Sequence, residues 1–115
     1  MAVYVVWSSQ LGAEERHVAD ATRLIADPRV RHYWDGAQRV GRAYENPLGL
    51  SQPAWDVWML FDRSASWSAE PPEPVWWEHQ LSGPPDSLRL DPERFTRKAR
   101  ALLAEQAPGP RQPAR

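Results

Sequence analysis

The fold class this sequence predicts is a three-layer α/β/α sandwich on a mixed sheet, and three observations carry it. Residues 57–61 form an unbroken apolar run bounded by Asp56 and Asp62; a strand with one wet face would alternate instead, so this run predicts a central strand covered by helices on both sides. Residues 2–7 (AVYVVW) form a second such run, suited to a buried parallel strand. Segments of helical spacing fall between and after the strands, giving the order β-α-β-α-β-β-α: parallel βαβ units, then a hairpin and a closing helix.

The first strand is broken by Ser8-Ser9-Gln10-Leu11-Gly12. A helix over residues 13–26 follows, with Val18, Ala21 and Ile25 at helical spacing, Leu24 beside them, and Glu14, Glu15, Arg16, Asp20 and Arg23 facing out. Asp27-Pro28 stops it, because the residue before proline is pushed out of the α region. Residues 29–34 (RVRHYW) alternate, Val30, His32 and Trp34 against Arg31 and Tyr33, which predicts a short strand near a sheet edge. Asp35 is placed to cap a helix over 36–45 whose inner stripe is Ala37, Val40 and Tyr44, with Gly41 on that face permitting close approach. Asn46-Pro47 ends it.

Asp62-Arg63-Ser64-Ala65-Ser66 is turn chemistry. After a proline-rich loop at 68–74, residues 75–81 (VWWEHQL) predict a strand antiparallel to 57–61. Val75, Trp77, His79 and Leu81 share one face; Trp76, Glu78 and Gln80 share the other, with Glu78 and Gln80 expected in solvent. Asp91-Pro92-Glu93 starts a helix, N-cap then proline at the first position, running to about 105 with Phe95, Ala99, Leu102 and Leu103 as its buried stripe. Residues 106–115 have nothing to bury and are expected to form a disordered tail, leaving 1–105 as one domain.

The totals bound the chemistry. The 115 residues include no cysteine, so this chain alone can make no disulfide, thiolate metal site or thiol redox step. A net charge of -1 gives no bulk attraction to nucleic acid or an anionic membrane, and no apolar run approaches the ~20 residues of a bilayer span. With no charged leader and cleavage site ahead of Val3, a cytoplasmic location is expected. Lys98 is the one lysine among 14 basic residues and prolines number 12, the bias of a GC-rich bacterial coding sequence. Seven tryptophans, most in predicted strands, read first as core filling and second as a ligand or partner surface.

The element order, together with certain residues, is similar to the thioredoxin-like fold, in its redoxin-like branch. Asp35 begins a helix, Ala43-Tyr44 sits near its end, Leu48-Gly49-Leu50 follows, and Leu60-Phe61-Asp62-Arg63 resembles the end of the family's buried strand. The resemblance spans roughly residues 3–103. The family's chemistry needs a cysteine at the start of its first helix, where the helix N-terminus stabilises a thiolate. In one register Leu11-Gly12-Ala13-Glu14 occupies the Cys-x-x-Cys positions; in the other, residues 2–7 match the family's second strand, and the cysteine-bearing strand and helix would lie before Met1. The second register leaves a strand-sized gap, which direct pairing of 2–7 with 57–61 or a homodimer would fill. The family's cis-proline has its nearest counterpart in Pro53, whose isomer the resemblance leaves open.

No catalytic constellation is recognisable. Ser8, Ser9 and Ser66 lie in loops outside any nucleophile motif. Asp56 and Asp62 stand roughly 20 Å apart at the rise of a strand, too far for paired acid–base work. His32 and His79 lie on different strands, with Asp35 and Glu78 near them in sequence, but Glu78 points to the face opposite His79; ordinary half-buried imidazoles are expected, and neither metal nor cofactor. The functional expectation is a cysteine-free, thioredoxin-like binding or assembly module, partnered by another protein or a second copy and not by nucleic acid or membrane. The resemblance places its contact surface at Trp7, Ser8, Ser9, Gln10, Gln52, Pro53, Trp55 and Asp56, with Trp7 and Trp55 as aromatic anchors. The alternative is the C-terminal part of a redoxin-like thiol–disulfide oxidoreductase or peroxidase whose cysteines lie upstream.

Overall fold

Both long apolar runs form strands, but each pairs with a different neighbour. The computed structural model describes residues 1–106 and divides into two units, Met1–Asp56 with Leu81–Pro84, and Val57–Gln80 with the described residues from Pro85 onward. It is an α/β protein with one parallel and one antiparallel two-stranded sheet.

In the first unit β1 (Val3–Ser8) pairs in parallel with β2 (Val30–Asp35), Val3 opposite Val30 and Ser8 opposite Asp35. β2 alternates as its sequence predicts, with Val30, His32 and Trp34 half-buried and Arg31 and Tyr33 exposed. β1 alternates too: Val3, Val5 and Trp7 are half-buried, while Tyr4 is 62% and Val6 40% exposed. The expectation that β1 is dry on both faces is therefore corrected. Its apolar run reflects the strand preference of β-branched and aromatic residues, not two-sided burial.

The connection between them is a 3-10 turn (Glu15–His17) leading into α1 (Val18–Leu24). Glu14 and His17 cap each other at its start: the Glu14 carboxylate accepts the His17 amide, and the Glu14 amide donates to His17 Nδ1 at 2.9 Å. The helix is shorter than its spacing suggests. Val18, Ala21 and Thr22 are half-buried, while Leu24 and Ile25 are exposed. His32 explains the early end. Its Nδ1 accepts the Trp7 indole N–H at 3.0 Å, so Nε2 carries the proton and donates to the Ile25 carbonyl at 3.0 Å. Trp7 and His32 also stack, ring centroids 6.0 Å apart.

Asp35 does cap the next helix, but later than its sequence position suggests. Its carboxylate accepts from the Arg39 and Val40 amides at 2.8 and 2.9 Å, so Gly36–Gln38 form a turn and α2 (Arg39–Ala43) begins after it. Pro47 does not end the helical region. α3 (Glu45–Leu48) includes it near the start, where proline's missing N–H costs nothing, and stops at Gly49, φ +67°. The buried apolar residues among those described are Tyr44, 2% exposed, and Leu48. Burial pushes the Tyr44 phenol above its ordinary range. Gly41 is buried beside them, and the Ala54 amide donates to its carbonyl at 2.8 Å.

In the second unit β3 (Val57–Leu60) pairs antiparallel with β4 (Trp76–His79), as the sequence predicts, with Leu60 opposite Trp76. All four β3 residues are half-buried, and β4 is its only hydrogen-bonded strand neighbour among the described residues, so it is not the centre of a wider sheet. A short 3-10 helix (Asp86–Leu88) precedes α4 (Pro92–Gln106). Asp91 caps α4, its carboxylate accepting from the Glu93 and Arg94 amides. Phe95, Ala99 and Leu102 are half-buried, while Leu103 is exposed. The expected tail at 106–115 lies outside the described residues except for Gln106, which ends α4 and holds Arg63 through its side chain and carbonyl, both at 2.8 Å.

Glu78 is the largest departure. Strand alternation put it in solvent; it is fully buried, as is His79. Its carboxylate accepts from Trp76 Nε1 and the Asp91 amide, both at 2.7 Å, and from Arg94 Nε at 3.2 Å. Arg94 also donates to the carbonyls of Ser87 and Arg89. Lys98 Nζ lies 4.3 Å from the Trp76 ring centroid. His79 Nε2 bonds the Pro85 carbonyl at 2.8 Å, and its own carbonyl accepts the Leu90 amide at 2.8 Å. The loop and helix that follow β4 cover the face that alternation alone assigns to water.

Two outcomes follow. A Cβ at residue 41 would sit 2.6 Å from the Ala54 carbonyl oxygen, a backbone atom that cannot step aside; Gly41→Ala should destabilise by about 1–3 kcal/mol in chemical denaturation. For Glu78, desolvation pushes the carboxyl up, but the Arg94 hydrogen bond, the Asp91 amide, the Trp76 indole and the Arg94 charge outweigh it and hold it below the usual range. A depressed folded-state value stabilises above the unfolded carboxyl range, near pH 4, and that stability is lost as pH falls through the folded value. Glu78→Ala should cost roughly 3 kcal/mol at neutral pH, the low end for breaking a buried pair because Arg94 keeps 26% of its side chain exposed, and should flatten the acid limb of the stability profile.

Candidate binding site

In a parallel pair both chains leave the sheet at the same end, so the residues after β1 and after β2 are brought together. At this end Ser9 Oγ donates to the Gly36 carbonyl at 2.9 Å, Gln10 Nε2 donates to Gln38 Oε1 at 3.0 Å, and Gln38 Nε2 donates to Ser9 Oγ at 3.2 Å. Three neutral side chains thus form one polar cluster at the carboxyl ends of parallel strands, the place where open α/β sheets receive ligands. All its hydrogen-bonding groups are uncharged, so the chemistry it offers is recognition of polar groups, not proton transfer.

Backbone strain falls on two residues of this end. Leu11 and Gln38 have positive φ (57° and 55°) without being glycine. The left-handed region costs a side-chain-bearing residue roughly 1–2 kcal/mol, and such strain concentrates at functional sites. Leu11 adds a second oddity: it is 88% exposed. A strained residue that holds a leucine in water is a candidate anchor.

The surface expected from sequence is only partly assembled. Trp7, Ser8, Ser9 and Gln10 lie at the end of β1, with Trp7 committed to His32. Gln52, Pro53, Trp55 and Asp56 belong to the segment fastened under α2 by the Ala54–Gly41 bond, where Pro53 and Trp55 are half-buried and Gln52 is exposed. None of the hydrogen bonds made by Ser9 or Gln10 reaches that segment. Every peptide bond in the described structure is trans, so Pro53 is trans. Gln38 was not among the residues expected here, because Asp35 was expected to cap a helix already begun at residue 36; the helix starts at Arg39, which leaves Gln38 in the turn beside Ser9. Leu11 lies in the Ser8–Gly12 stretch expected at this end, but its exposure was not foreseen.

Among the described residues no three histidine or acidic side chains converge on a point that could hold a metal ion. His32 spends both ring nitrogens on Trp7 and Ile25. Asp27 is held at about 2 by the side-chain and backbone hydrogen bonds of Arg29, an exposed surface pair.

Leu11→Gly separates strain from function. Glycine removes the left-handed penalty and loses part of that gain to unfolded-chain entropy, so a net stabilisation of up to about 1 kcal/mol is expected in the denaturant midpoint. A net loss of stability would mean that Leu11 is a packing residue. Comparison of the chain with protein-family models, with curated proteins and with solved structures returned no match.

Proposed function

We propose that this chain is a cysteine-free, thioredoxin-like module that works by binding or assembly and not by catalysis. The observation that carries this is the free edge of β1. Val3 turns its amide to the Arg29 carbonyl across the sheet. In a parallel strand alternate residues share a direction, so Val5 and Trp7 also engage β2, and Tyr4, Val6 and Ser8 turn their amides and carbonyls outward. Among the described residues no hydrogen bond reaches those outward groups. β1 carries none of the charges, prolines or bulges with which proteins protect a free edge. Two-stranded sheets are marginal in water by themselves, so a third strand from elsewhere is the expected complement. The exposed, strained Leu11 and the neutral polar cluster at the same end of the sheet add a surface suited to a protein partner.

The thioredoxin-like layering belongs to the same proposal, supported by the strand and helix order and by Asp35, Ala43-Tyr44 and Leu60-Phe61-Asp62-Arg63. The open edge also favours a second reading, in which a cysteine-bearing strand and helix encoded upstream complete the sheet of a redoxin-like oxidoreductase.

Size-resolved fractionation of the endogenous gene product, with its full coding sequence mapped, tests both. The module reading expects a complex heavier than one chain and no insulin-reductase or peroxidase activity. A single-chain product whose upstream segment carries Cys-x-x-Cys and reduces disulfides would replace it with the second reading.

A further inference from the structure

We infer that the strand completing the first sheet is β1 of a second copy, laid antiparallel and centred on Val6, to give a four-stranded sheet in the order β2, β1, β1, β2. This rests on the module reading and names its partner. Strand register selects this pairing. Antiparallel pairing about a two-fold axis through Val6 sets Val6 opposite Val6 of the second copy and Tyr4 opposite its Ser8. Tyr4, Val6 and Ser8 are the residues whose backbone groups face outward, so this register gives every one of them a partner. Shifting the axis by one residue, onto Val5 or Trp7, leaves an end residue without its opposite in the other strand.

The parity also fits the faces. Residues that meet across the axis are both even or both odd, so exposed Tyr4 and Val6 stay on one face and half-buried Val5 and Trp7 on the other. Tyr33 extends the exposed face, its ring centroid 6.3 Å from that of Tyr4. The two copies thus join these aromatic and β-branched side chains into one patch, the kind of cross-strand pairing that stabilises sheets.

Charge selects self-pairing at β1 over β2. A two-fold axis brings a charge beside the axis near its own copy, as it would Arg31 if β2 paired about His32, and like charges close across strands are destabilising. β1 (VYVVWS) has no charged residue; β2 (VRHYWD) has Arg31 and Asp35. A net charge of -1 per chain leaves little long-range repulsion between copies. One strand edge is smaller than a standard interface, so a reversible dimer with a dissociation constant on the order of micromolar is expected.

Sedimentation velocity over a concentration series tests this with the full chain and two charge variants. The wild type should pass from one-chain to two-chain mass as concentration rises. Val6→Lys and Val6→Glu should each weaken association by about 100-fold or more, with unchanged circular dichroism because Val6 is exposed. An equimolar mixture of the two should recover the dimer, since residue 6 meets residue 6. Should either charged variant fail to fold, Val6→Cys, the sole cysteine in its chain, should cross-link through a short bismaleimide, the paired Cα atoms lying about 5.5 Å apart, while Arg31→Cys should not. A wild type of one-chain mass throughout, a dimer indifferent to Val6→Lys, or a mixture that stays monomeric would overturn the inference. If the purified chain is monomeric while the endogenous product runs in a heavier complex, self-pairing fails and the module reading stands.

Discussion

Every strand carries backbone donors and acceptors on two sides, and a buried or half-buried group without a partner costs free energy comparable to a lost hydrogen bond. That requirement governs this molecule. Four strands are present among the described residues, and each has one hydrogen-bonded strand partner. β4 satisfies part of its second side through its own following loop, where the His79 carbonyl takes the Leu90 amide and His79 bridges to Arg89. Among the described residues β1 has no such cover. The difference between the two sheets is thus a difference in what their flanking loops supply, and it is why the reading of function rests on β1.

The second unit meets the same requirement with a charge. Burying a carboxylate is costly unless it is paired and hydrogen-bonded, and Glu78 is both. Its partners come from the same strand (Trp76), from the N-cap of α4 (Asp91) and from the first turn of α4 (Arg94). One side chain therefore fixes the hairpin strand, the helix start and the helix rotation together. Lys98 and Arg94 over the Trp76 ring extend that grip along α4. Such a network specifies geometry more than it adds stability, which suits a unit in which no described apolar side chain is fully buried.

Local patterning read the elements well and their surroundings poorly. The alternation of residues 30–34, the Asp91-Pro92 helix start and the 57–60 with 76–79 hairpin were all legible, because each is set by short-range chemistry. Burial was not. Residues 2–7 read as a buried strand, yet Tyr4 and Val6 are exposed; Glu78 read as wet and is buried. Both errors have one source: which strand or helix covers a face is decided by residues far away in sequence, here Arg94 for Glu78. At the candidate site, Ser9 and Gln10 were legible as the loop after a parallel strand. Gln38 was not, since it read as part of a helix over 36–45, whereas its left-handed backbone keeps it in the turn before α2.

Residue-resolved amide hydrogen exchange on dilute chain measures the openness of β1 most directly. If the edge is free, the Tyr4, Val6 and Ser8 amides exchange at nearly unprotected rates while Val5 and Trp7 are protected by β2. Equal protection of all five in the dilute chain would show that the edge is already covered within one molecule, and the account of function built on it would fall.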